Sequence, residues 1–246
     1  LMAQTFVVGD IHGALKALQQ VITVIDFRKD DLLIFLGDYV DGWSESPGVI
    51  TYLDELGTMC NCIFLRGNHD VWCESWLKGE YPNPYWLQHG GRSTVEAYRN
   101  IGVHEKQRHL AFFSRMHNYY IDDKNRLFIH AGFSSMHGPE TESYESNFYW
   151  DRTLWEVAVT IMDSRVQEDS VWYPKRLKLF EEIFIGHTPT INFNSDMPMH
   201  AANVWNVDTG AAFTGRLSVI NAETKKVWQS DIVQQLYPGE KGRNKD

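Results

Sequence analysis

Thr5-Phe6-Val7-Val8-Gly9-Asp10-Ile11-His12-Gly13 is the stretch on which the reading of the whole chain turns. A short β-prone run breaks at a glycine into a carboxylate and an imidazole. Residues 14–25 then place Leu15, Leu18, Val21, Ile22 and Ile25 at helical spacing, so the order is strand, polar loop, helix. The same unit recurs twice. Residues 32–36 are apolar, end in Gly37-Asp38 and precede a helix expected over 48–56, and residues 62–65 lead into Arg66-Gly67-Asn68-His69-Asp70. Strands alternating with helices, at about 30 residues per unit, predict right-handed crossovers and a parallel sheet. Ligands of such sheets bind beyond the carboxyl ends of the strands, where all three polar clusters fall.

Further along, the pattern changes. Residues 71–116 are helical in tendency, rich in Trp and Tyr, and broken at Tyr81-Pro82-Asn83-Pro84, which reads as a helical insertion or cap. Strand-like runs return at 119–122, 126–129, 183–185, 202–207 and 217–220, with few helices between them. A second, mixed or antiparallel sheet packed on the first is the expected outcome. Residues 239–246 are polar and read as a disordered tail. Without a low-complexity linker, residues 1–246 are expected to form one α/β domain.

Bulk properties narrow the function. A hydrophobic content of 43% with 22% charged residues is ordinary for a soluble globular enzyme and unlike collagenous, disordered or membrane sequences. No apolar run reaches the roughly 18 residues of a membrane span, and the opening residues lack a basic signal-peptide region, so a cytoplasmic protein without a membrane partner is expected. The net charge of −9 argues against a nucleic-acid polymer as the main partner. Cys60, Cys62 and Cys73 are odd in number and form no C-x-x-C pair, which suggests neither a disulfide framework nor a thiolate metal site.

The chemistry lies at the strand ends. In an extended exit from a strand, Asp10 and His12 point to the same side and can reach one cation. Asp38 and Asp41 in Gly-Asp-Tyr-Val-Asp-Gly add two carboxylates that would repel each other without a compensating charge. Asn68 offers a neutral oxygen to a hard metal, and the adjacent His69 points elsewhere, free for acid and base work. Each motif alone also fits a structural or solvated turn, whereas three such clusters at three strand ends point to a shared site. His130 in Ile-His-Ala-Gly and His187 in Ile-Gly-His-Thr-Pro follow later strands and are further candidates.

Gly-Asp-Ile-His-Gly, Gly-Asp-Tyr-Val-Asp-Gly, Arg-Gly-Asn-His-Asp, His-Ala-Gly and Gly-His stand in the order and approximate spacing of the calcineurin-like metallophosphoesterases. The chain most resembles their bacterial and phage-type serine/threonine phosphoprotein phosphatases and, beside these, the diadenosine tetraphosphatases. The resemblance implies a four-layer α/β/β/α sandwich of two mixed sheets flanked by helices. It implies two divalent metal ions, Mn being the expected pair and Fe or Zn compatible with the ligands. Asp10, His12 and Asp38 would hold the first metal. Asp38 would bridge to the second, which Asn68, His130 and His187 complete. His69 matches the general acid and Asp41 the carboxylate that orients it, while Asp208 matches a structural position nearby. The implied reaction is hydrolysis of a phosphomonoester by direct attack of a metal-bound hydroxide, on a phosphorylated protein or a small phosphate ester.

The match has departures. Gly42 stands where the protein phosphatases carry an arginine that clamps phosphate bidentately, and glycine cannot replace it. Arg152, after Trp150-Asp151, is the expected substitute, with Arg66 and Arg92 weaker candidates for contacting substrate. Asp70 replaces the usual Glu, as in the diadenosine tetraphosphatases. His89-Gly90-Gly91 mimics the family's His-Gly-Gly metal motif but sits in a helical region, so His130 is preferred as ligand. Trp43, Trp72 and Trp86 are candidates for lining a groove. A phosphomonoesterase is therefore expected. The alternative is a nucleotide phosphoanhydride hydrolase, which would need a basic, aromatic groove. A metal-free binding module is disfavoured by six convergent ligands.

Overall fold

A computed structural model describes residues 3–162 and 166–245; Asp246, in the segment read as a tail, lies outside them. β1 (Thr5–Val8), β2 (Leu32–Phe35) and β3 (Asn61–Phe64) are parallel, and α1 (Leu15–Val24) and α2 (Ser46–Met59) make the crossovers. Helix α2 begins two residues before the expected start because Pro47 falls in its first turn, where a missing N–H costs nothing. Next come α3 (Asn68–Leu77), α4 (Pro84–Trp86), α5 (Arg92–Ala97) and α6 (Val103–Ser114). The aromatic residues of this region are largely core: Trp86, Tyr98, Phe112 and Phe113 are buried in the cluster that holds α1 and α2 to the first sheet.

The second half supplies β4 (Tyr119–Ile121), β5 (Arg126–Ile129), α7 (Asn147–Trp150), α8 (Thr153–Met162), β6 (Glu182–Ile185), β7 (Met199–Ala201), β8 (Val204–Asn206), β9 (Ser218–Asn221), β10 (Val227–Gln229) and α9 (Val233–Leu236). Two five-stranded mixed sheets result, ordered β10-β9-β1-β2-β3 and β4-β5-β6-β8-β7. Residues alternate faces along each strand. Val7, Ile34, Phe128, Phe184, Val207 and Ile220 therefore meet between the sheets, while Phe6, Val8, Leu33 and Phe35 face the first helical layer. Leu127, Ile129, Ile183 and Ile185 face Leu154, Trp155 and Ala158 of α8 on the other side. The four-layer α/β/β/α sandwich is the observed fold.

Register sets the site. Val8 pairs with Phe35 and Phe35 with Phe64, so the three motif loops leave the first sheet at one height. In the second sheet β5, β6 and β8 run parallel and deliver the loops that begin at His130, Gly186 and Val207.

Two expectations are corrected, and one strand is new. Residues 202–207 are not one strand: the chain reverses at Ala202-Asn203, with Ala202 at φ +52°, to make the hairpin of β7 and β8. Strand β10 was not legible because its turn partner, Thr224-Lys225-Lys226, is polar and the strand is only half buried. The segment 239–245 is not a loose tail. Glu240 accepts from the backbone N–H and hydroxyl of Ser44, Arg243 N–H donates to the Ala212 carbonyl at 2.8 Å, and Gly242 lies against the Trp43 ring. Among the described residues no helix is long and apolar enough to cross a membrane.

Candidate metal centre

Asp38 is the hinge of the site. The ligand atoms of His12, Asp38 and His69 all lie within 4.8 Å of one another, and so do those of Asp38, His130 and His187. Asp38 Oδ2 is 3.5 Å from both His12 Nε2 and His130 Nε2. Asn68 Oδ1 lies 3.3 Å from His130 Nε2, and Asp10 Oδ2 lies 3.9 Å from His12 Nε2. The sequence-predicted ligands Asp10, His12, Asp38, Asn68, His130 and His187 are thus gathered and buried, from five loops of both sheets.

The backbone is bent to present them. His12, Asp38, Asp41 and His187 all have positive φ, between +53° and +75°, a region that non-glycine residues seldom occupy. Close neighbours are glycines because nothing larger fits: a Cβ at Gly67 would overlap the Asp38 carboxylate, and one at Gly186 the Asp10 carboxylate. Asp70 accepts the N–H groups of Asp38, Tyr39 and Gly67 at 2.7, 2.9 and 2.9 Å and so ties the second motif loop to the third.

The rings are oriented from behind. His12 Nδ1 donates to the Val40 carbonyl at 3.2 Å and His130 Nδ1 to the Leu36 carbonyl at 2.8 Å, which turns both Nε2 atoms inward. His187 Nε2 is buried without any hydrogen-bond partner. An orphaned imidazole nitrogen on a ring grouped with Asp38 and His130 is an arrangement that a divalent cation satisfies.

Electrostatics agree. Burial and the nearby Asp208 push Asp10 well above the usual carboxylate range, and burial lifts Asp208 itself to about 6. Burial and the Arg243 charge lower His12 to about 3, leaving a neutral ring. Burial works against a charged His130, yet the Asp38 and Asp10 carboxylates raise it to about 10. Asp38 is held well below its ordinary value, against its own burial, by His130 and His69. Acids crowded in a desolvated pocket are a cation site by charge as well as by geometry.

Beside the ligands, His69 Nδ1 meets Asp41 Oδ2 at 2.6 Å. Trp86 Nε1 and Thr94 Oγ1 donate to the same carboxylate at 2.5 and 2.6 Å, so Asp41 is fixed on three sides. Burial raises Asp41 to about 7 and, with the Arg243 charge, lowers His69.

The pocket above is walled by Trp72, Tyr85, His89, Trp150 and Phe213, and Arg152 and Arg243 reach it. Trp72 packs edge-on against Trp150 with ring centroids 4.9 Å apart, and His89 stacks on Tyr85 at 3.9 Å. His89 belongs to this wall and not to the ligand groups. Of the predicted substrate contacts, Arg152 lines the pocket. Arg66 does not: it pairs with Glu74 at 3.4 Å and donates to the Phe113 carbonyl. Trp43 and Trp86 are core residues, whereas Trp72 lies on the pocket. Arg243 was missed, since nothing near residue 243 in the sequence ties it to a loop 200 residues earlier.

Comparison with known proteins gives the family. The family model for calcineurin-like phosphoesterases matches residues 4–213. The bis(5'-nucleosyl)-tetraphosphatase PrpE [asymmetrical] of Bacillus anthracis is 26% identical over 231 residues, covering 87% of this chain and 88% of its own. In fold, the chain is similar to the crystal structure of a candidate diadenosine tetraphosphatase, with a TM-score of 0.63 at 18% identity over 93% of each chain. It is also similar to a protein serine/threonine phosphatase from Saccharomyces cerevisiae, with a TM-score of 0.61 at 13% identity over 93% of this chain and 79% of the other. The chain belongs to the calcineurin-like phosphoesterase family and is a metal-dependent hydrolase of phosphate esters.

Proposed function

We propose that this enzyme hydrolyses a phosphoanhydride of a nucleotide, a dinucleoside polyphosphate being the model substrate, on a pair of Mn²⁺ ions. One observation carries the substrate class: the metal-ligand groups lie at the base of a pocket walled by Trp72, Tyr85, Trp150 and Phe213 and reached by Arg152 and Arg243. A phosphate chain needs cations and a base needs a flat π surface, and both are within one cavity. The tetraphosphatase named among its relatives supports the same reading.

In this reading Asp10, His12 and Asp38 hold one metal, and Asp38, Asn68, His130 and His187 hold the other. A metal pair so held supplies a water of lowered pKa and neutralises charge on the phosphoryl oxygens. Nitrogen and oxygen ligands without thiolate suit Mn²⁺, with Fe or Zn as the other compatible metals. Asp41 orients His69 through the 2.6 Å contact, so that His69 Nε2 delivers a proton to the leaving oxygen. Trp72 and Trp150 stack against the base and hold the chain in line with the ligands.

A second reading, a phosphomonoesterase acting on phosphoserine, phosphothreonine or a small ester, is favoured by the His69 and Asp41 pair itself. An alkoxide leaves poorly and needs such an acid more than a phosphate does. Hydrolysis of diadenosine tetraphosphate, a phosphothreonine peptide and p-nitrophenyl phosphate by the Mn²⁺-loaded protein, beside an Asp38→Asn control, separates the two. We expect the dinucleotide to have the highest kcat/KM and the control to be inactive. Preference for the peptide would replace this reading with the second.

A further inference from the structure

We propose that Arg243, carried across the pocket by the segment that follows α9, is the phosphate clamp of this enzyme and occupies in space the place left open in sequence by Gly42. The stem of Arg243 threads between two glycines. Its Cγ lies 3.3 Å from where a Cβ of residue 42 would stand and 3.0 Å from where one of residue 90 would stand. Both glycines have strongly positive φ, +104° and +110°, so a side chain at either would be strained as well as in the way. The slot is therefore open only to a side chain arriving from elsewhere.

The arginine that fills the slot is held at its backbone and free at its head. Its N–H donates to Ala212, Gly242 before it packs on Trp43, and Asn244 after it donates to Gln234 at 3.2 Å. Within the pocket the guanidinium lies over the Phe213 ring at 5.3 Å, and Nη1 donates to His12 Nε2 at 3.4 Å. Nε is buried and without a partner. Among the described residues no carboxylate lies at ion-pair distance from this guanidinium, unlike Arg66, Arg126 and Arg176. His12 Nε2 cannot serve a metal and Arg243 at once. In the metal-loaded enzyme Nη1 loses this acceptor, and a phosphate oxygen in the pocket is a charge-matched replacement for it.

The inference rests on the pocket binding phosphate esters and is independent of which ester it prefers. Its test is therefore orthophosphate, a product common to the candidate reactions. Titration calorimetry of the Mn²⁺-loaded wild type, Arg243→Met and Arg243→Lys with orthophosphate compares affinities, alongside metal content and thermal melting. Methionine keeps an unbranched stem in the slot between Gly42 and Gly90 and removes the charge. We expect Arg243→Met to keep its full metal complement and weaken phosphate binding about tenfold or more, the loss of a charge-assisted hydrogen bond. Arg243→Lys should recover part of that affinity. Phosphate affinity within twofold of wild type in Arg243→Met would overturn the clamp while leaving the enzyme reading intact. Loss of metal in step with loss of affinity would also overturn it, because Arg243 would then act on the ligands. Absence of phosphate binding by the metal-loaded wild type would overturn both.

Discussion

At the scale of single residues, the centre concentrates conflict: buried like charges, orphaned nitrogens and left-handed backbone at His12, Asp38, Asp41 and His187. Each such residue stores roughly 1–3 kcal/mol of strain, which persists only where surrounding structure enforces it. His69 is the residue whose role geometry leaves between two options, since its ring stands within 4.8 Å of ligand atoms of His12 and Asp38 yet is bound to Asp41. His69→Asn is expected to keep the metals and slow substrates with poor leaving groups by about 10²–10⁴-fold, while p-nitrophenyl phosphate slows far less. Equal losses on both would remove the acid role, and loss of a metal by elemental analysis would make His69 a ligand. His130 gives a second expectation. Asp38 and Asp10 hold its metal-free ring at about 10, so it is protonated throughout the neutral range and the metal must displace that proton. Metal affinity should therefore rise with pH up to about 10 and fall below it, by up to about tenfold per unit for one proton released. Calorimetry of Mn²⁺ binding in buffers of different ionisation heat reads this directly; a binding heat independent of buffer would show that no proton leaves.

At the scale of elements, the first three strand-loop-helix units were legible because each is closed within about 30 residues and marked by a glycine before its polar loop. His130 and His187 were legible for a related reason, each standing within two residues of the end of a strand. What failed was structure made by distant parts. The β7 and β8 hairpin has no Asn-Gly or Asp-Gly turn to announce it; Ala202 takes the positive-φ position that a two-residue turn normally gives to glycine. Ala202→Gly is therefore expected to stabilise the protein by about 1 kcal/mol, raising Tm by roughly 2–4 °C, because the strain relieved exceeds the added unfolded-state entropy. A lower melting temperature in differential scanning calorimetry would mean that the Ala202 methyl group contributes more by packing than its backbone costs. Arg66 and Arg243 illustrate the same limit in side chains. Local spacing placed the first near the phosphate, where the fold instead gives it to Glu74, and could not place the second at all.

At the scale of the molecule, two sheets meet through one shared apolar layer, and the acids Asp10, Asp38 and Asp208 sit where their loops converge. Cations that neutralise this cluster bind the folded state and not the unfolded one, so they act as a structural bond between the halves. Chelation with EDTA should lower Tm by several degrees, and Mn²⁺ should restore it in a concentration-dependent way; an unchanged melting curve would mean that the cluster is tolerated without them. The centre also draws on residues from Asp10 to Arg243, nearly the whole span of the chain. A nascent chain emerging from the ribosome displays its acids early and its last arginine late. Because the metals bind only the folded centre, a chain that has made Asp10 and Asp38 holds no complete ligand set until His187 too has left the ribosome, and the clamp proposed at Arg243 joins last.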